Sequence, residues 1–251
     1  MPHFLRAAAA TSLLALSSLS VASCAQAAPS AAETAEIEEI VRAYLLENPE
    51  IIREALIELQ RKEAQAELDR TTDVIAELSD QLFYDPRDYA VGPKDAKVQI
   101  VEFFDYNCGF CKRSTDWIQE TIAQNPDEVR VVFKEMPSLT GPTGSSYIAA
   151  RAALAAQRQG KYSKFHFALM SERALSEKRI MQLAEQNGMD VEQLKRDMED
   201  AAIDRQIRDN LDLANQIPAL TGTPFFVINE RFVSGGKMEE LASILSEELG
   251  S

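Results

Sequence analysis

Apolar side chains recur with different periods along the 251-residue chain. Residues 34–46, "TAEIEEIVRAYLL", place Ile37, Ile40, Val41, Tyr44 and Leu45 at helical spacing. "ENP" interrupts; Asn48 suits an N-cap and Pro49 a first helical position. A second helix is predicted from "PEIIREALIELQRKEAQAELDR", with a stripe at Ile52, Ala55 or Leu56, and Leu59. Over 60–70 Leu68 alone is apolar and larger than Ala, so this stretch has no face to pack and reads as an exposed connecting rod. The stripes before it lack a partner within so short a segment. Self-association of the arm answers that; the alternative is an amphipathic hairpin folded onto the main domain.

Past an irregular loop, "YDPRDYAVGPKDA", marked by Pro86, Gly92 and Pro93, the period changes. "KVQIVEFF" (97–104) is β-branched and nearly continuously apolar, which predicts a central strand covered on both faces. "CKRSTDWIQETIAQ" reads as a helix and "EVRVVFKE" (128–135) as a second strand. Together they predict a right-handed βαβ unit with parallel strands. From about 145 to 215 the pattern is almost wholly helical, in the segments "SSYIAARAALAAQRQ", "YSKFHFALMSE", "SEKRIMQLAEQNG" and "VEQLKRDMEDAAIDRQIRDNLDLANQ". Gly160 and Gly188 are predicted helix stops. "TPFFVINERFVSGG" then gives two short strands turning at Asn229-Glu230, and "KMEELASILSEEL" a last helix. The fold class is α/β, with a helical N-terminal arm over 29–82 and a main domain over 83–251.

The formal net charge of −14 argues against nucleic acid and anionic membrane surfaces as partners. Residues 33–80 hold fourteen Asp/Glu against five Lys/Arg, nine of those fourteen charges, which marks a separate module. The first 28 residues carry Arg6, an apolar run from about Ala7 to Ala22 and the small-x-small site Ala25-Gln26-Ala27, the pattern of an export signal. "VASC" also reads as a lipobox, which would make Cys24 a lipidated first residue; a retained membrane anchor is disfavoured because the run is short and rich in Ser and Ala. Either processing route places the chain in the periplasm, where disulfides form.

Cys108 and Cys111 then remain, in "FFDYNCGFCKR", where a buried strand ends and a helix begins. Unpaired N–H groups and the helix dipole stabilise a thiolate at the first cysteine. The second lies one turn on, on the same face, placed to attack a mixed disulfide formed by the first. That is an exposed attacking thiol, Cys108, and a less exposed resolving thiol, Cys111. Zinc would need about four ligands, and the chain after the signal adds only His166 to the two cysteines unless carboxylates join. A structural disulfide here would close too small a loop to constrain the unfolded chain. No metal or cofactor beyond the redox-active Cys108–Cys111 pair is called for. Glu102, six residues before Cys108 in an apolar strand, should be buried with a raised pKa; at a sheet edge it would face water instead. Lys134 on the neighbouring strand is a candidate partner for it. His166, between Phe165 and Phe167, reads as a satisfied helix histidine, since thiol exchange needs no such base.

With the cysteine pair and the "LTGTPFF" stretch before the terminal hairpin, the chain resembles the thioredoxin superfamily, specifically its DsbA-like exported thiol–disulfide oxidoreductases. The resemblance covers about 83–251. It implies a thioredoxin-like fold with a helical insertion, a cis-proline at Pro224 packed beside the disulfide, Thr223 pairing with substrate backbone, and Glu102 shuttling the proton of the resolving thiol. Gly109 and Phe110, the dipeptide between the cysteines, join Thr223 as expected substrate contacts. The strongest oxidases of the family carry Pro-His there; Gly followed by an aromatic is more like the periplasmic isomerases. The acidic arm, with "ENPEIIREALIELQ", resembles the oligomerising arm of ScsC-type members, some of which are linked to copper tolerance.

The leading expectation is therefore a disulfide isomerase acting on unfolded or misoxidised secreted proteins as a homo-oligomer, with a membrane redox partner that resets the pair. A disulfide oxidase of the same family is the nearest alternative. A non-catalytic holdase or metal-handling module is the rival of a different class.

Overall fold

The computed structural model describes residues 30–250, so the export signal, the lipobox reading and Cys24 lie outside the described residues. Packing divides the chain at Ile57/Glu58. The N-terminal unit holds helix α1 (Ala31–Glu47) and the beginning of α2 (Glu50–Glu77). Ser30 and Glu33 close a reciprocal capping box at the start of α1. Asn48, expected to start the second helix, instead ends the first: it is the C-cap of α1, and its Nδ2 donates to the Tyr44 carbonyl at 2.9 Å. No residue of α1 is buried. Ile37, Ile40, Val41, Tyr44 and Leu46 are all about half exposed or more, as are Ile52, Leu56 and Ile57 of α2.

The larger unit is built on a five-stranded sheet ordered β1-β3-β2-β4-β5. Its strands are β1 (Tyr89–Val91), β2 (Val98–Phe104), β3 (Val129–Glu135), β4 (Phe225–Ile228) and β5 (Arg231–Ser234). β2 and β3 are parallel, joined through α4 (Gly109–Gln124); the remaining pairs are antiparallel. The predicted irregular loop thus contains an edge strand, β1. Three residues between Pro86 and Pro93 are too few to show a period. Gly92, at φ 101°, follows β1 where a Cβ would meet the Val129 carbonyl oxygen at 2.1 Å, so only glycine fits. Asn229 turns the terminal hairpin at φ 51°.

The helical insertion comprises α5 (Ser145–Arg158), α6 (Tyr162–Met170), α7 (Glu177–Gln186), α8 (Val191–Met198) and α9 (Ala201–Ala214); α10 (Met238–Gly250) closes the chain. Gly160 and Gly188, at φ 67° and 71°, follow the ends of α5 and α7 as predicted. The last predicted insertion helix is two: Asp200 caps α9 by accepting from the Ala202 N–H, which breaks the run after α8.

Each face of the sheet covers its own apolar cluster. Val98, Ile100, Phe104, Val131, Phe133 and Phe226 face α4 and the insertion. Val101, Phe103, Val132, Phe225 and Val227 face Ile75, Leu78, Leu82 and Phe83, with Ile217 and Leu220. The last turns of α2 and the short α3 (Ser79–Phe83) are therefore part of this core, and the expected module boundary at 82 does not coincide with the packing boundary.

Candidate active site

Cys108 is the N-cap of α4, with extended φ and ψ (−75°, 115°), and its N–H is held by the Asp105 carbonyl at 3.0 Å. Gly109, Phe110 and Cys111 form the first turn. Cys111 is wholly buried, and Cys108, expected to be exposed, is itself only 6% exposed because the Thr223-Pro224 segment lies over its sulfur; both are free thiols. The helix is amphipathic in an unusual way. Its buried face, Cys111, Ser114, Thr115, Ile118 and Thr121, carries hydroxyls and a thiol around one aliphatic side chain.

Across from the cysteines the Thr223-Pro224 peptide is cis, and the Cys108 Sγ lies 3.2 Å from the Thr223 carbonyl oxygen. That oxygen can accept only from the thiol. The Thr223 hydroxyl, buried and otherwise without a partner, is the group that can donate to the thiolate. The Cys108 pKa is lowered to about 5, first by a hydrogen bond from the Cys111 thiol, with Thr223 and the Cys111 and Phe110 N–H groups adding to it against the cost of burial. Cys111 is displaced strongly upward, by burial first and then by its bond to Cys108 and the charge of Glu102. The pair thus divides into an acidic thiol at the helix start and a thiol held protonated beneath it.

Glu102 is 1% exposed, in the centre of β2. Burial raises its pKa to about 8, with the Ser114 hydroxyl pulling down and the Cys108 charge pushing up. The expected partnership with Lys134 does not occur. Glu102 stands beside Phe133 in register, which places Lys134 on the opposite face of the sheet. There Lys134 forms a buried ion pair with Asp88 and donates to the Gln81 carbonyl.

Sequence reasoning passed over Asp105. Its carboxylate accepts from the Asn107 N–H (2.7 Å), the Ser146 hydroxyl (2.7 Å) and the Leu139 N–H (2.9 Å). It ties the loop before Cys108 to α5 and to the segment after β3. Tyr106 was missed too: its hydroxyl donates to Glu135 at 2.9 Å and lies 3.0 Å from His166 Nδ1. His166 is buried, stacked on Tyr162, and its pKa is lowered to about 3 by burial, consistent with a neutral packing residue. The signal for both was the polar "DY" at the end of an apolar strand. Phe110 is about half exposed beside Cys111, with the Arg113 guanidinium 4.0 Å above its ring.

Residues 99–246 match the DSBA-like thioredoxin domain family, and residues 33–66 match the copper resistance protein ScsC N-terminal domain. The chain belongs to the DsbA-like thioredoxin domain family. A thioredoxin-like oxidoreductase from Silicibacter pomeroyi is 37% identical, at TM-score 0.62 over 68% of this chain and 98% of that one. A linker-deletion mutant of Proteus mirabilis ScsC is 28% identical, at TM-score 0.65 over 90% of this chain and 99% of that one. The thiol-disulfide exchange protein α-DsbA2 of Wolbachia pipientis is 27% identical, at TM-score 0.66 over 73% and 98%. Among curated proteins the antiporter NhaA 3 of Salinispora tropica is 30% identical over 146 residues, so the chain spans 22% of that relative's length. The DsbA-like part of this chain is a thiol–disulfide oxidoreductase domain of DsbA/ScsC type, with an ScsC-like segment before it.

Proposed function

We propose that the protein is an exported disulfide isomerase of this family, attacking wrong disulfides in secreted proteins through Cys108. One observation carries the reading: an acidic thiol at a helix start, beside the Thr223-Pro224 peptide, above a buried thiol held protonated. Cys108 attacks a substrate disulfide and forms a mixed disulfide. The freed substrate thiolate then re-pairs within the substrate, or Cys111 attacks Cys108 Sγ and releases the substrate reduced. Glu102 takes the Cys111 proton in that second route. Thr223, Gly109 and the exposed Phe110 contact the substrate chain. The dithiol needs no further cofactor, and a membrane redox partner returns it to the reduced state.

The arm supports the isomerase direction. Its exposed Ile37, Ile40, Val41, Tyr44, Ile52 and Leu56 suit association with copies of the same chain, which would present several dithiols to one substrate. The acidity of Cys108 favours a second reading, an oxidase, because a stabilised thiolate stabilises the reduced enzyme and makes its disulfide a better oxidant. The redox state of the pair in living cells, read by thiol trapping, separates the two: mostly reduced for the isomerase, mostly oxidised for the oxidase. Cys108→Ala should abolish refolding of a scrambled-disulfide substrate, and retained activity would end both readings.

A further inference from the structure

Glu102 has to do two things on a thiol–disulfide exchange pathway: accept a proton from Cys111 and later give it up. Inside the sheet it has little help. Phe133 and Phe226 flank it in register on the neighbouring strands, and Lys134 is on the other face. Among the described residues, the one side chain hydrogen-bonded to its carboxyl is Ser114, whose Oγ lies 3.1 Å from Oε1. Ser114 is wholly buried, one helical turn beyond Cys111 on the same face of α4. The same Oγ lies 2.9 Å from the Cys111 carbonyl oxygen.

We propose that Ser114 is a positioning residue for the resolving step, a hydroxyl that turns with the protonation state of Glu102. The proposal rests on the thiol–disulfide reading above. A serine hydroxyl has one proton and two acceptor lone pairs. When Glu102 is ionised, that proton points to Oε1. When Glu102 is protonated, its own O–H can donate to Ser114 Oγ, and the serine proton turns to the Cys111 carbonyl. That carbonyl also accepts from Thr115 Oγ1 at 3.0 Å, so it keeps a partner when Ser114 turns away. Both protonation states are therefore hydrogen-bonded, with only a hydroxyl rotation between them. A fixed cation such as lysine would favour the ionised state alone.

In the mixed disulfide, the Cys111 thiol passes its proton to the Glu102 carboxylate. The Cys111 thiolate then attacks Cys108 Sγ. The Cys108–Cys111 bond forms, the bond to the substrate sulfur breaks, and the substrate leaves as a thiolate. Formation of the mixed disulfide removes the Cys108 negative charge, one of the influences that hold the Glu102 proton on. The carboxyl is thus readier to ionise when a base is wanted.

The test uses the full chain and glutathione. Oxidised glutathione forms a mixed disulfide on Cys108, and the release of glutathione by Cys111 is followed against pH. Ser114→Ala should move the release profile alkaline by about one pH unit and slow release near pH 7 by up to about tenfold. The alkylation rate of Cys108 should stay near wild type. Ser114→Thr, which keeps the hydroxyl, should restore the profile. In a Glu102→Gln background, Ser114→Ala should produce no further shift. Ser114→Gly removes the same hydroxyl and replaces the alanine variant if that one does not fold. An unshifted profile, or an equal shift in the Glu102→Gln background, overturns the role of Ser114. If the wild-type protein forms no mixed disulfide at all, the thiol–disulfide reading itself fails.

Discussion

At the scale of single residues, the fold gives two chemically identical thiols different surroundings. Alkylation of Cys108 should titrate with a midpoint at about 5 rather than near the ~8.5 of a free thiol. Thr223→Val keeps the shape and removes the one hydroxyl free to donate to the thiolate, and should raise that midpoint by about one unit. Glu102 has the opposite linkage. Its pKa is raised in the folded state, from 4.5 to about 8, so the stability associated with its neutral form is fully present below pH 4.5 and is lost as pH rises through 8. Glu102→Gln has no such loss. Urea unfolding of the reduced proteins between pH 5 and 9 should show the variant gaining on the wild type as pH rises, and parallel curves would mean that Glu102 is not buried as described. Much of this was legible in the chain: the CxxC at a strand-to-helix junction fixes which thiol caps a helix. The place of Ser114 beside Glu102 was not, because a small polar residue in a mostly polar helix stretch gives no sign that it lies on the buried face.

Elements were legible where they were long. β2 and β3 are seven-residue strands rich in β-branched and aromatic residues and stand within a residue of prediction, whereas β1 has three residues and the α8–α9 break carries neither Gly nor Pro to mark it. Strand register was the deeper gap. The sequence places Glu102 and Lys134 on neighbouring strands, but only the pairing of Glu102 with Phe133 puts them on opposite faces. The lysine then joins Asp88 in an ion pair whose side chains are each 1% exposed, with Gln206 on the other Asp88 oxygen. Lys134→Met should leave Asp88 buried without its cation and cost about 3–5 kcal/mol in denaturant unfolding. The double variant with Asp88→Asn should recover most of that, since both charges are then gone. A single-variant loss below about 1 kcal/mol would show that the pair is solvated.

For the whole molecule, the site of any truncation matters. Removing residues 30–57 takes away the exposed apolar residues of α1 and those of α2 up to Ile57, and leaves both sheet-face clusters intact. That form should be monomeric by light scattering, retain the unfolding midpoint of the catalytic unit, and still exchange disulfides with small thiols while losing most of its ability to unscramble proteins. Removing residues up to 80 also strips Ile75 and Leu78 from the second cluster, at about 1.5–3 kcal/mol each, and should lower the midpoint markedly. Equal midpoints for the two truncations would show that the end of α2 does not contribute to the core. One continuous helix, Glu50–Glu77, thus passes from exposed apolar residues through a polar stretch into a packed core. Its backbone amides should exchange with deuterium in three zones: slowly over 71–77 at any protein concentration, quickly over 60–70 at any concentration, and over 50–59 at a rate that falls as concentration rises, the mark of the proposed self-association.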